Sequence, residues 1–143
     1  MAAAIRIEIG PGELIDRITI LKLKVAHLDG ARRADAAARL AILLEHWHAL
    51  PASSEVSALA DELAALNQRL WAIEDALRAY ERRGDFGARF VEHARNVYRT
   101  NDRRAQLKAD IDTALGHVIG DAKVYEVGAP TAGATGQRGP GTG

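Results

Sequence analysis

Cysteine is absent from the 143 residues, so neither disulfides nor thiolate metal sites can contribute, and a reducing compartment fits. Aromatic residues make up only 5% of the chain, although hydrophobic residues reach 48%. Alanine and leucine supply most of that content, and both are strong helix formers, so the composition leans all-α. Net charge is also lacking: 19 basic residues balance 19 acidic ones, without the electrostatic footprint of a general nucleic-acid binder. No segment approaches the run of roughly 18 apolar residues that a membrane span needs. The opening Met1–Ile9 carries Arg6 and Glu8 and has no apolar core of signal-peptide length, so a cytoplasmic location is expected. Nucleophile-elbow, phosphate-loop and His-Glu-x-x-His motifs are missing, and serine occurs only at 53, 54 and 57, in or beside a helix cap.

The patterning that is present divides the chain into helices. Ile5, Ile7 and Ile9 alternate with Arg6 and Glu8, the period of a short half-buried strand that Gly10-Pro11-Gly12 ends. A first helix is expected from about Glu13 to Leu28, with Leu14, Ile18, Leu21, Val25 and Leu28 on one stripe and Asp29-Gly30 as its stop. A second covers roughly Arg32 to Leu50, burying Leu40, Leu43, Leu44, Trp47 and Leu50, and Pro51 closes it. Ser53 or Ser54 caps a third, whose seam of Val56, Leu59, Leu63, Leu66, Leu70, Ile73, Leu77 and Tyr80 has bundle or coiled-coil spacing. Gly84 ends it, Asp85 is the expected N-cap of a fourth, and that helix runs from about Phe86 to Leu115. Lys123-Val124-Tyr125-Glu126-Val127 is a second strand candidate, expected to pair with Ile5–Ile9. The expected fold is therefore mainly α: a four-helix antiparallel bundle or helical hairpins, with a small two-stranded ribbon formed by the terminal segments. Residues 1–127 make one helical domain, and the Gly/Ala/Thr/Pro-rich 128–143 read as a disordered tail.

The fourth helix holds the anomaly. Counted in heptads from Phe90, its seam reads Phe90, Ala94, Val97, Asn101, Arg104, Lys108, Ile111 and Leu115, with three successive polar positions. Burying a neutral polar group without a partner costs roughly 2–7 kcal/mol, so this stretch needs partners, water or a ligand. Tyr98, Asn101, Ala105 and Lys108 share one face, and Arg95, Arg99, Asp102 and Gln106 the adjoining one. On helix three Asn67, Trp71, Glu74, Asp75 and Arg78 share a flank, and helix one offers Glu13, Asp16, Arg17 and Lys24. Two readings stay open. Convergence could form a buried polar network that sets helix register. It could equally enclose a ligand site of Asp16, Arg17, Glu74, Asp75, Tyr98, Arg99, Asn101, Asp102, Arg104 and Lys108. In the second case Arg17, Arg99 and Lys108 would grip an anion, Asn101 would orient it, and Asp102 or Glu74 would handle protons.

Other motifs carry less. Ile9-Gly10-Pro11-Gly12-Glu13 looks like a phosphate-binding turn, but Ile15 stands where a third glycine belongs and Glu13 would repel phosphate. Glu45-x-x-His48 has di-iron spacing without the second copy such a site requires, so no metal or cofactor is implied. Asp110 and Asp112 would point about 200° apart on a helix, which excludes a paired acidic motif.

The stretches Ile7–Leu21, Gly84-Asp85-Phe86-Gly87 and Val97–Ala105 resemble a small bacterial family of uncharacterised helical proteins, which closes on a phrase matched by Asp121-Ala122-Lys123-Val124-Tyr125. The resemblance covers nearly all of residues 5–125, with Ala122 and Val124 departing from a more polar run. It implies no established activity; it implies a setting near envelope polysaccharide assembly. Glu13, Asp16, Arg17, Asp85, Tyr98, Asn101, Asp102, Arg104 and Lys108 fall within the shared phrases. The expected function is an accessory or interaction protein without catalysis, self-associating or binding a protein partner through the exposed side of the helix-three seam, Trp47 or Trp71. The alternative is a small helical enzyme or binder for an anionic metabolite.

Overall fold

The computed structural model describes residues 3–117, which form four helices: α1 Pro11–His27, α2 Gly30–His48, α3 Ser54–Arg83 and α4 Ala88–Ala114. α1 starts two residues before the expected boundary because Pro11 occupies its first turn, where a missing N–H costs nothing. Gly12 therefore lies inside the helix. Glu13 in the first turn and Lys24 and His27 in the last complement the helix dipole. Ser53 caps α3, its Oγ accepting from Val56 N–H at 3.0 Å. Gly84, at φ 64°, ends α3 in a Schellman turn: its N–H donates to Glu81 O, and Asp85 N–H donates to Tyr80 O. Asp85 is not the N-cap of α4. Its carboxylate accepts from Gly87 N–H at 3.1 Å, and Gly87 takes the cap position, so α4 begins at Ala88 rather than Phe86.

The terminal ribbon is not present among the described residues. Ile5–Ile9 has no strand pairing, and Ile5 and Ile7 are 86% and 71% exposed, not half-buried. Alternation sets which side each residue faces, but a strand also needs a hydrogen-bonding neighbour, and none stands beside this segment among the described residues. The expected second strand and the tail at 128–143 lie outside the described residues.

The architecture is two hairpins that share a hub. Among the described residues α1 packs against α2, α3 and α4, α3 packs against α4, and the backbone of α2 approaches that of α1 alone. Ile18 of α1, Leu63 and Leu66 of α3, and Leu107 and Ile111 of α4 are fully buried where these three helices meet. Leu40, Leu43, Leu44 and Trp47 of α2 lean on that core from one side. Among the described residues no helix is long and apolar enough to cross a membrane.

The core also revises the seam of α4. A strict seven-residue count drifts by about 20° per heptad from a straight helix of 3.6 residues per turn. Leu107, not Lys108, is the buried seam residue, and Asn101 is exposed. Arg104 and Lys108 stand on the flank that α4 turns toward α1.

A polar lock between three helices

α1 and α4 run antiparallel, and three polar rungs cross between them. At the first, Gly12 N–H donates to Asp112 Oδ1 at 2.8 Å. At the second, Lys108 Nζ meets the Glu13 carboxylate. At the third, Arg104 grips Asp16 with both arms of its fork, Nε to Oδ1 at 2.8 Å and Nη2 to Oδ2 at 2.7 Å. The spacing follows from sequence: 12 or 13 to 16 and 104 to 108 to 112 are single helical turns, so each lands on one face.

Asp16 is only 2% exposed, and its charge is matched from two directions. Besides Arg104, Asn67 Nδ2 of α3 donates to Asp16 Oδ1 at 2.8 Å and to Thr19 Oγ1 at the same distance. Thr19 in turn donates its hydroxyl to Asp16 O. This arrangement also orients the Asn67 amide, because the opposite flip would set a carbonyl oxygen against a carboxylate. Asn67 Oδ1 is buried and has no hydrogen-bond partner among the described residues, a deficit of about 1–3 kcal/mol within the network.

The electrostatics are balanced. The hydrogen bonds to Asp16 outweigh partial burial and raise the Arg104 pKa, with Asp16, Glu13 and Glu74 adding charge attraction. Partial burial pushes the Glu13 carboxyl up, but Lys108 and Arg17 together hold it below the usual carboxylate range. Arg17 lies along the helix surface, its Nε 2.9 Å from Glu13 Oε1.

Close approach of the two backbones makes this lock possible. A Cβ on Gly12 would collide with the Lys108 carbonyl, and one on Gly10 would lie 2.6 Å from Asp112 Oδ1. The glycine turn thus admits α4 and its carboxylate; it does not cradle a phosphate. The first-turn N–H that an anion would seek is already held by Asp112.

Of the ten residues read as a ligand site, Asp16, Arg104 and Lys108 come together, and Arg17 joins at the edge through Glu13. Asn101 touches the group weakly, accepting from Arg104 Nη1 at 3.5 Å, and Glu74 acts on Arg104 only through charge. Asp75 and Asp102 are exposed. Tyr98 is solvated beside Arg99, whose guanidinium sits 5.9 Å from the ring centroid, and Arg95 draws the phenol below its ordinary range. Thr19 and Asp112 were missed, and Glu13 and Asn67 had been read as neighbours of the site, outside it. Thr19 could have been found one turn after Asp16. Asp112 lies one turn beyond Lys108 on the same flank, a spacing that could have found it; Asp110 and Asp112 do point apart, Asp110 accepting from Gln106 on its own helix. Trp47 leans on the core and Trp71 stacks on His27 at 4.9 Å, so both indoles have internal neighbours. Among the described residues no cluster of three His, Asp or Glu side chains could hold a metal ion.

Fold and lock together define a class: a helical bundle, among the described residues, in which polar side chains join α1 to α3 and α4. Its family can be stated as well. The chain matches, over residues 5–137, the model of a family of unknown function, DUF6165, and belongs to it. That match continues past residue 125, where the motif resemblance ends. No match was found among curated proteins or among solved structures.

Proposed function

We propose that this chain is an interaction protein without catalysis, in which the polar lock braces α1 against α3 and α4 and leaves the α1–α2 side to meet a partner. In the setting that the resemblance implies, it would serve envelope polysaccharide assembly from the cytoplasm. The observation that carries the reading is charge pairing: the two cations at the centre of the lock, Arg104 and Lys108, each already meet a carboxylate of α1. An anionic metabolite would have to displace Asp16 or Glu13 from the same fold that positions them, and displacing Asp16 leaves a buried carboxylate without its cation. Clefts of up to about 480 Å³ among the described residues are lined by other side chains, and of the ten candidate residues Arg17 and Arg99 alone line these.

Melting the protein alone and with a panel of phosphorylated and carboxylated metabolites tests this reading. No metabolite is expected to raise the melting temperature. A compound that stabilises the wild type by several degrees, with the saturation expected of binding linkage, overturns it in favour of an anion site.

A further inference from the structure

The α1–α2 hairpin carries a groove that the lock does not use. Its floor is Ile20 and Leu21 of α1 with Ile42 and Leu43 of α2, and Ile42 keeps 57% of its surface exposed. This stretch encloses about 370 Å³, and a second of about 330 Å³ continues from it toward Leu28, sharing Leu21, Lys24 and Arg39. From Arg17 to Leu28 the groove follows α1 for about three helical turns, or about 17 Å.

Its rim is strongly one-signed. Arg17, Lys24, Arg32 and Arg39 line it, against the single carboxylate Asp35. Asp35 lies 3.1 Å from Arg39, and Arg17 leans on Glu13. Neither Lys24 nor Arg32 forms an ion pair among the described residues. In a chain of zero net charge, this concentration of cations around an apolar floor is local.

We infer that the groove docks an acidic amphipathic helix of a partner protein, about three turns long; this rests on the interaction reading above. An apolar stripe would lie on Ile20, Leu21, Ile42 and Leu43, as helices lie in apolar grooves elsewhere. Carboxylates flanking that stripe would meet Lys24 and Arg32, supplying register and a fast, salt-sensitive association. The site is open to a helix because, among the described residues, α1 is the one helix whose backbone α2 approaches. A second copy fits poorly. Its exposed large apolar side chains on α4 are Val91 and Tyr98, and on that stretch of the helix exposed Arg89, Arg95 and Arg99 outnumber Glu92 and Asp102, so the surplus on both surfaces is cationic. The acidic flank of α3 belongs to a helix whose apolar seam is taken up by its own core.

Fluorescence anisotropy with two labelled synthetic helical peptides tests the inference on the full chain. One carries a leucine stripe flanked by glutamates; the other has lysines in place of the glutamates. The acidic peptide is expected to bind about tenfold or more tightly than its lysine counterpart, and more weakly as salt is added. Ile42→Asp and Lys24→Glu should each weaken it about tenfold with the melting temperature unchanged, while Val91→Asp binds like wild type. Equal binding of both peptides, no binding of either, or indifference to both groove variants overturns the inference. So does displacement of the peptide by phosphatidylglycerol vesicles, or a dimer seen by light scattering that Ile42→Asp converts to monomer. These outcomes leave the metabolite melting result untouched, so failure of the docked helix and failure of the interaction reading are separately visible.

Discussion

The two sides of α1 treat charge in opposite ways. Toward α4 it presents Gly12, Glu13 and Asp16, each with a partner there, and at Gly12 the two backbones come too close for a Cβ. Toward the α2 groove it presents Arg17 and Lys24 over leucine and isoleucine, with cations left in excess. Buried charge is tolerated only when partners are positioned in advance, whereas rim charge is solvated and remains available. The same helix thus holds one side of the molecule closed and offers the other.

Breaking the closed side should have the largest effect. Asp16→Leu leaves Arg104 partly buried without its carboxylate and should cost about 3–4 kcal/mol in denaturant unfolding. Adding Arg104→Met should return much of that loss, because paired apolar replacement spares the unpaired charge; a double variant no more stable than the single would refute the lock as a matched unit. Gly12→Ala must push α4 away from α1, and about 3 kcal/mol is expected from overpacking against a backbone carbonyl. Asp112→Ala removes a cap from the α1 N-terminus and should cost about 1 kcal/mol, read by the same unfolding curves.

Smaller effects sharpen the contrast. The folded pKa of Glu13 is depressed, so its contribution is complete above the unfolded carboxyl range and is lost as pH falls through the folded value. Glu13→Gln should therefore flatten the acid limb of the stability profile, by less than about 1 kcal/mol because the pair is partly solvated. On the open side, Ile42→Asp should change stability by no more than about 0.5 kcal/mol. A large loss there would mean that the groove is part of the core.

Much of this was legible in residue order. The four helices follow from apolar spacing, and Ser53 and Gly84 mark the ends of α3 by cap chemistry that is local to a few residues. The polar stretch of α4 was also visible, as was the meeting of Asp16 with Arg104 and Lys108 as one of its outcomes. Its membership was not. Tyr98, Arg99, Asp75 and Asp102 share helical flanks with the lock, yet rotation by a fraction of a turn leaves them in water. Leu107 and Lys108 exchanged roles for the same reason, since a heptad count rounds the helical period.

By itself the sequence determined a mainly helical chain without disulfides, punctuated at known places, with a charge-rich interruption in its last long helix. Those properties depend on short-range spacing, and spacing is written in the chain. Only the tertiary structure decided that Gly12 is where α4 passes, that Asp112 caps a helix a hundred residues away, and that Ile5 and Ile7 are exposed, not half-buried. Each of these depends on which surfaces meet and at what distance, and in a chain of repeated alanines and leucines many helix pairings satisfy the same pattern until packing selects one.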